Sequence, residues 1–283
     1  MTTYSPIDLD TLPAPQVIEA LDAETILAAI KADVIARAPE LEDVLELESE
    51  PATKVLEAAA FRELLLRARI NDAARAVMVA HATGADLDNL AALFGVERLE
   101  GESDREFRDR TQLSLEGFST AGPVGAYEFH ALAAHAEVKD VAVSSPAPGT
   151  VEVAVLARSG NGTPTQEVLD AVAAALNDED VRPLTDLVQV VAADVVNYAI
   201  TAELVFDESQ DGAQALPTVG AAVQAYVNAR HALGQTVSLS GIYAALHQPG
   251  VVRATLVAPA ADLAVDATAV GYCSAINLSE VAE

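Results

Sequence analysis

Tryptophan is absent, aromatic residues of all kinds make up 4% of the 283 residues, and 16 lysines and arginines stand against 43 aspartates and glutamates. The shortage of rings argues against a carbohydrate-stacking site and leaves Ala, Val and Leu to build the cores. The shortage of cations is the larger exclusion. At a formal charge of −27 the chain has no clustered bases with which to displace counterions, so binding to nucleic acid or to an anionic membrane is excluded from its expected functions. Lys31, Lys54 and Lys139 are the only lysines. Such a surface points either to basic partners or to a saline host.

Cysteine is nearly missing as well. Cys273 stands alone, which rules out an internal disulfide, and its apolar surroundings (AVGYCSAI) predict a buried thiol. No apolar run reaches the ~20 residues needed to span a bilayer. The first fifteen residues have neither a cationic start nor an apolar centre, so they do not read as a signal peptide. A soluble protein made in the host cytoplasm is expected.

Reactive clusters are also lacking. His81, His130, His135, His231 and His247 stand in no HExxH or Cys/His spacing, and each reads as a helix-surface or packing residue. The run Asp207–Gly212 begins like a calcium loop but places Thr218 where the bidentate acid must stand, so it fails as one. GlyAsnGlyThr at 160–163 lacks the lysine of a phosphate loop and reads as a turn. There is no GxSxG elbow. The expectation is a protein that is not an enzyme and has no metal or cofactor.

What is present is helix first and sheet later. Pro6, Pro13 and Pro15 make residues 1–16 an extended leader. Asp22 is placed to cap a helix carrying Ile26, Leu27, Ile30 and Val34 up to Pro39. The acidic stretch 40–50 follows, a solvated connector or a docking strip for a basic partner. From Pro51 to about Ala82 nothing breaks a helix, and that length would reach on the order of 45–50 Å, more than one small domain covers. Arg62, Arg67, Arg69 and Arg75 make it locally positive; they pair with the acidic strip upstream or with an acidic neighbour. Leu56, Arg62, Leu64, Leu65, Leu66 and Arg69 are the candidate subunit-interface residues.

Between His81 and Pro123 start and stop signals crowd together. Asp86 precedes a short amphipathic helix carrying Leu87, Leu90 and Leu93, and Gly95 ends it. Ser103 with Glu106 forms a capping box, and Gly122–Pro123 opens another helix. Gly84, Gly95 and Gly122 are the candidate hinge residues.

Beyond the hinge the hydrophobic period switches between helical and alternating. Residues 138–143 and 150–155 read as an antiparallel hairpin joined by a loop too long for a two-residue turn. Thr163 and Pro164 start a helix, and 187–192 is a third strand. Residues 198–206, 216–231, 240–247, 251–257 and 270–276 then read as strand, helix, helix, strand and strand. SGIYAALHQPGVVRATLVAPAADL echoes GAYEFHALAAHAEVKDVAVSSPAP, an internal duplication with the parts in rotated order. The expected fold class is α+β: an N-terminal all-helical arm (17–100) after the leader, then two small duplicated sheet units, 101–194 and 195–283.

At the hinge the residues stop being generic. GADLDNLAALFGVER, then ESDREFRDR, then EGFSTAGPVGAY resembles the baseplate protein J family of contractile-tailed phages and tail-like bacteriocins. SPAPGTVEV, VRPLTD and YAALHQPGV look like further blocks of that family in the same order, extending the resemblance over roughly residues 20–278. The resemblance implies a structural protein of the tail baseplate wedge. It implies association with copies of itself around the hub, and with smaller wedge and hub proteins, in a sixfold ring whose rearrangement starts sheath contraction. The family brings no catalytic residues. A non-phage contractile injection apparatus, or a ligand-binding or catalytic protein with a duplicated α+β module, are the alternative readings.

Overall fold

The structure is a computed structural model that describes residues 7–13, 15–119, 122–207 and 212–281. The described part divides into two compact units: residues 7–98 with 103–111, and residues 99–102 with 112–281.

The first unit is helical. Of the proline-rich leader, residues 1–6 and 14 lie outside the described part, and Leu9–Thr11 forms one 3-10 turn. Helix α1 (Ala23–Arg37) starts where Asp22 accepts from the amides of Glu24 and Thr25. The Thr25 hydroxyl and amide hold the Asp22 carboxyl below its usual range. The acidic stretch is partly ordered: a 3-10 turn at Pro39–Leu41 leads into α2 (Glu42–Leu45), which buries Leu45. The Leu45 carbonyl accepts from Lys31 Nζ at 2.8 Å and from Thr53 Oγ1 at 3.4 Å.

Helix α3 (Pro51–Ala76) packs against α1. It ends earlier than the sequence predicts and is roughly 39 Å long. The pattern through Ala82 is compatible with helix, but residues 77–82 turn instead, because Arg108 takes carbonyls there, as described below. Helix α4 (Gly84–Ala92) buries Leu87 and leaves Leu93 exposed. Its end has Gly95 at φ +70 and a Val96 amide reaching back to the Ala91 carbonyl, which satisfies the last orphan acceptors. Helix α5 (Asp104–Gly117) opens on the expected capping box: Ser103 N donates to Glu106 Oε2 at 3.1 Å and Glu106 N to Ser103 Oγ at 3.4 Å.

The second unit holds two three-stranded sheets. The first lobe comprises α6 (Val124–Ala134), β1 (Val138–Ala147), β2 (Thr150–Ala157), α7 (Gln166–Leu176) and β3 (Leu187–Ala192), in sheet order β1-β2-β3. The β1/β2 ladder runs out to Ala147 opposite Thr150, with Pro148 and Gly149 (φ +77) between them. The turn is therefore two residues long, not the long loop expected. Pro146 is tolerated in β1 because that strand lies at the sheet edge and its register slips between Ser144 and Ala147. The cap of α7 also differs: Thr165, two residues beyond Thr163, accepts from the Val168 amide at 3.5 Å. Tyr127, Val153, Val155, Val172 and Leu176 form the core.

The second lobe comprises β4 (Asp194–Phe206), α8 (Gly212–Arg230), α9 (Leu239–Leu246), β5 (Val251–Ala258) and β6 (Ala269–Glu280), in order β5-β4-β6. Strand β4 starts four residues before the expected Tyr198 and follows β3 after one residue, Ala193. Each sheet has a central strand with one antiparallel and one parallel neighbour. In the first lobe the α6–β1 pair precedes the central strand; in the second the α9–β5 pair follows it, which is the rotated order read from the sequence. Ile200, Leu204, Val223, Ile242 and Leu246 fill this core, with Cys273 packed on it as a half-buried, not fully buried, thiol. Of the run tested as a calcium loop, residues 208–211 lie outside the described part.

Candidate functional site

Helix α3 has two faces. Thr53, Ala60 and Asn71 are buried on the side toward α1. Asn71 fastens the segment before α1: its Oδ1 accepts from Glu19 N at 3.1 Å and its Nδ2 donates to Glu19 O at 2.9 Å. On the far side Val55, Phe61, Leu65, Leu66 and Ile70 are exposed, Leu66 to 66%. Val55, Ala59, Arg62, Leu66, Arg69 and Ala73, all exposed, follow one another at alternating steps of four and three. That is the spacing of a coiled-coil seam, here without a partner helix. Of the six candidate interface residues, Arg62, Leu65, Leu66 and Arg69 are exposed and Leu56 and Leu64 are half-buried toward the inner side.

The arginines do not pair with the acidic strip. Arg67 joins Glu63 at 2.7 Å and Glu19 at 3.0 Å, and Arg75 joins Asp72 at 3.4 Å. Arg62 and Arg69 have no ion pair among the described residues. They stand on the seam itself, two positive charges in an apolar stripe.

Between α3 and α5 the chain is clamped by three arginines. Arg108 donates from Nε to Val79 O at 2.7 Å and from Nη2 to Ala82 O at 2.8 Å. Arg98 Nη2 lies 2.7 Å from carboxylate oxygens of both Asp88 and Asp104. Asp104 in turn accepts from the Gly84 amide at 3.1 and 3.2 Å. That amide, then Arg98, holds the Asp104 carboxyl below its usual range. Arg110 donates from Nη2 to Glu97 O at 2.6 Å. Phe107 is fully buried, with the Arg98 guanidinium 4.5 Å and the Arg110 guanidinium 5.4 Å from its ring centroid, within cation–π range.

The three candidate hinge glycines all adopt the left-handed conformation: Gly84 at φ +52, Gly95 at +70 and Gly122 at +68. Gly122 is also confined, since a Cβ there would lie 2.7 Å from Pro183 Cγ. Asn71, Phe107, Arg98, Arg108 and Arg110 were not among the residues singled out from the sequence. The run ESDREFRDR enters the sequence reading as a capping box and as part of the family resemblance, and only the fold reveals that its Arg108 and Arg110 serve backbone carbonyls.

Among the described residues no set of three His, Cys, Asp or Glu is placed to hold a metal ion, and no helix is long and apolar enough to cross a membrane. What the surface offers is an apolar helix face with two cations beside a tightly fastened turn, a construction suited to binding another chain.

Comparison with known proteins decides the family. Residues 48–102 match the Baseplate J-like N-terminal domain, 119–192 the Baseplate J-like central domain and 198–279 the Baseplate J-like protein C-terminal domain. The chain belongs to the baseplate J family. Baseplate protein J of Escherichia phage P2 is 44% identical to it over 95% of each chain. The exposed seam of α3 lies wholly within the N-terminal family domain. The central family domain takes in α6 through β3 and the C-terminal one most of β4 through most of β6. The whole of α5, with Phe107, Arg108 and Arg110, falls between the first two matched stretches.

Proposed function

We propose that this baseplate J family member is a structural component of a contractile-tail baseplate wedge. In this reading it stands in the virion tail, associates with copies of itself and with other wedge and hub proteins in a sixfold ring, and takes part in the rearrangement that starts sheath contraction. The observation that carries the self-association is the outer face of α3, where Val55 and Leu66 stand exposed on a seam of coiled-coil spacing and Leu65 and Ile70 are exposed beside it. Monomeric surfaces seldom leave such a stripe uncovered. The seam also restricts how it is covered. A parallel, in-register pair would set Arg62 against Arg62 and Arg69 against Arg69 of the second copy, so the reading calls for antiparallel pairing, in which each arginine faces an apolar layer; being twofold, that contact joins two copies within the ring and a different contact closes the ring.

Helical segments 17–83 serve as the arm between subunits, and Gly84, Gly95 and Gly122 as the pivot about which stiff parts turn. Replacing exposed Leu66 with Glu tests the reading, because a charge on the seam disturbs assembly but not the fold. Purified L66E is expected to melt with the wild type, to lose self-association in light scattering, and to fail to restore contractile tails to a deletion mutant viewed by negative stain. Intact, contractile particles lacking the protein altogether would refute the proposed role.

A further inference from the structure

The two sheet lobes meet at a small joint that none of the readings above uses. Its apolar part is Leu156 of the first lobe, Ala193 at the crossing between them, and Val270 of the second, with Val195 and Leu233 packed on them. Its polar part is built around His231, directly after α8. Lys139 Nζ of β1 lies 2.9 Å from His231 Nδ1, and His231 Nε2 lies 3.3 Å from the carbonyl of Asn161. Beside them Asp140 Oδ2 accepts from the Leu233 amide at 2.8 Å. Tyr272 of β6 meets the imidazole edge-on, with ring centroids 5.7 Å apart.

The placement of Lys139 is local design in the strand. Val138 pairs with Ala157 and Asp140 with Leu156, which are adjacent on β2, so Lys139 is the extra residue of a bulge. A bulge re-aims a side chain that the ladder would otherwise fix. On the other side Gly162 leaves room for the ring: a Cβ there would lie 3.2 Å from His231 Nε2.

The chemistry fixes the protonation state. An ammonium only donates, so Nδ1 of His231 must accept and the ring proton must sit on Nε2, where it points to the Asn161 carbonyl. A protonated imidazole could not accept from Lys139 and would oppose its charge. We propose that the Lys139–His231 contact is a proton-sensitive latch: with His231 neutral the two lobes move as one body, and protonation of His231 releases them.

The groups facing the ring are Lys139 from β1 and Tyr272 from β6; the Asp140 carboxylate is turned to the Leu233 and Val141 amides, and Arg230 of α8 to Gln235 and the Tyr226 ring. Burial first, then Lys139, push the His231 imidazole below its ordinary value of 6.5. The unfolded chain therefore takes up the proton before the folded one does, and the latch's contribution is present above 6.5 and lost as pH falls through the depressed value. Burial pushes Asp140 the other way, upward. Its contribution is present in acid and lost as pH rises through its raised value, opposite in sign to that of His231.

Hydrogen exchange of the full chain, corrected for intrinsic rates, reads the joint at the Leu233, Gly234 and Val141 amides. Between about pH 7.5 and pH 5, where histidine changes charge, wild-type protection there is expected to fall about tenfold for each unit of pKa depression. His231→Gln supplies a non-titrating acceptor and donor and is expected to keep its protection over that range. An equal fall in wild type and H231Q would overturn the latch. Imidazole NMR supplies a second reading: the Nε2–H tautomer in wild type and a raised His231 pKa in Lys139→Met are expected, and an Nδ1–H tautomer or an unmoved pKa would overturn it.

Discussion

Arg108 is the residue on which the turn between the long helix and the rest of the helical unit depends. Its guanidinium donates to Val79 O at 2.7 Å and Ala82 O at 2.8 Å, both carbonyls of the turn that replaces the last part of the predicted helix. A bond from a charged donor contributes about 1.5–3 kcal/mol. Half-burial of Arg108 places each bond at the lower end, so Arg108→Ala is expected to cost about 3 kcal/mol in local stability. Arg108→Lys is expected to recover less than half, because an ammonium on a flexible stem does not reproduce the planar fork. The assay is hydrogen exchange at the amides of His81 and Ala82, which bond to the Met78 carbonyl at 2.9 and 2.8 Å. At about 1.4 kcal/mol per tenfold, R108A should raise opening there by roughly 100-fold and R108K by roughly tenfold or more. Unchanged exchange in R108A, or full recovery in R108K, would refute the argument that two directed bonds stop α3 at Ala76.

Three further outcomes follow from the geometry. Gly122→Val combines a left-handed backbone with a Cβ 2.7 Å from Pro183 Cγ, and is expected to lower stability by more than about 2 kcal/mol in urea unfolding. Gly84→Ala meets open space and should cost only the backbone term, about 1–2 kcal/mol. Asn71→Ala removes both bonds to the Glu19 backbone, an expected loss of about 2 kcal/mol. That variant should also show faster proteolysis within residues 15–22, since the exposed Arg67–Glu19 pair contributes little by itself.

The elements legible in the sequence were those with a local cause. The Asp22 cap, the Ser103–Glu106 box and the Gly95 stop each satisfy backbone groups within a few residues, so residue order suffices to read them. The rotated duplication was legible for a related reason, since α6–β1 and α9–β5 repeat a pattern of Tyr and His on a helix that leads into a strand. Reading failed where a distant group decided the outcome. The end of α3 is set by an arginine some thirty residues away. The hairpin tightened because the edge position of β1 tolerates Pro146, which no local pattern reveals. Arg62 and Arg69 stayed clear of the acidic strip while Arg67 turned to Glu19.

By itself the sequence determined the class of the molecule: acidic, poor in rings and cations, helical at first and then α+β, with blocks resembling one family in order. These follow from composition, period and local capping, which act over one or two turns of chain. Tertiary structure alone decided which face of α3 is left uncovered, which carbonyls the arginines hold, and that His231 sits against Lys139 across the joint of the two lobes. A helical period gives the faces of a helix but not which one its neighbours cover. A histidine on a helix end carries no mark of the lysine that folding brings to it from 92 positions away.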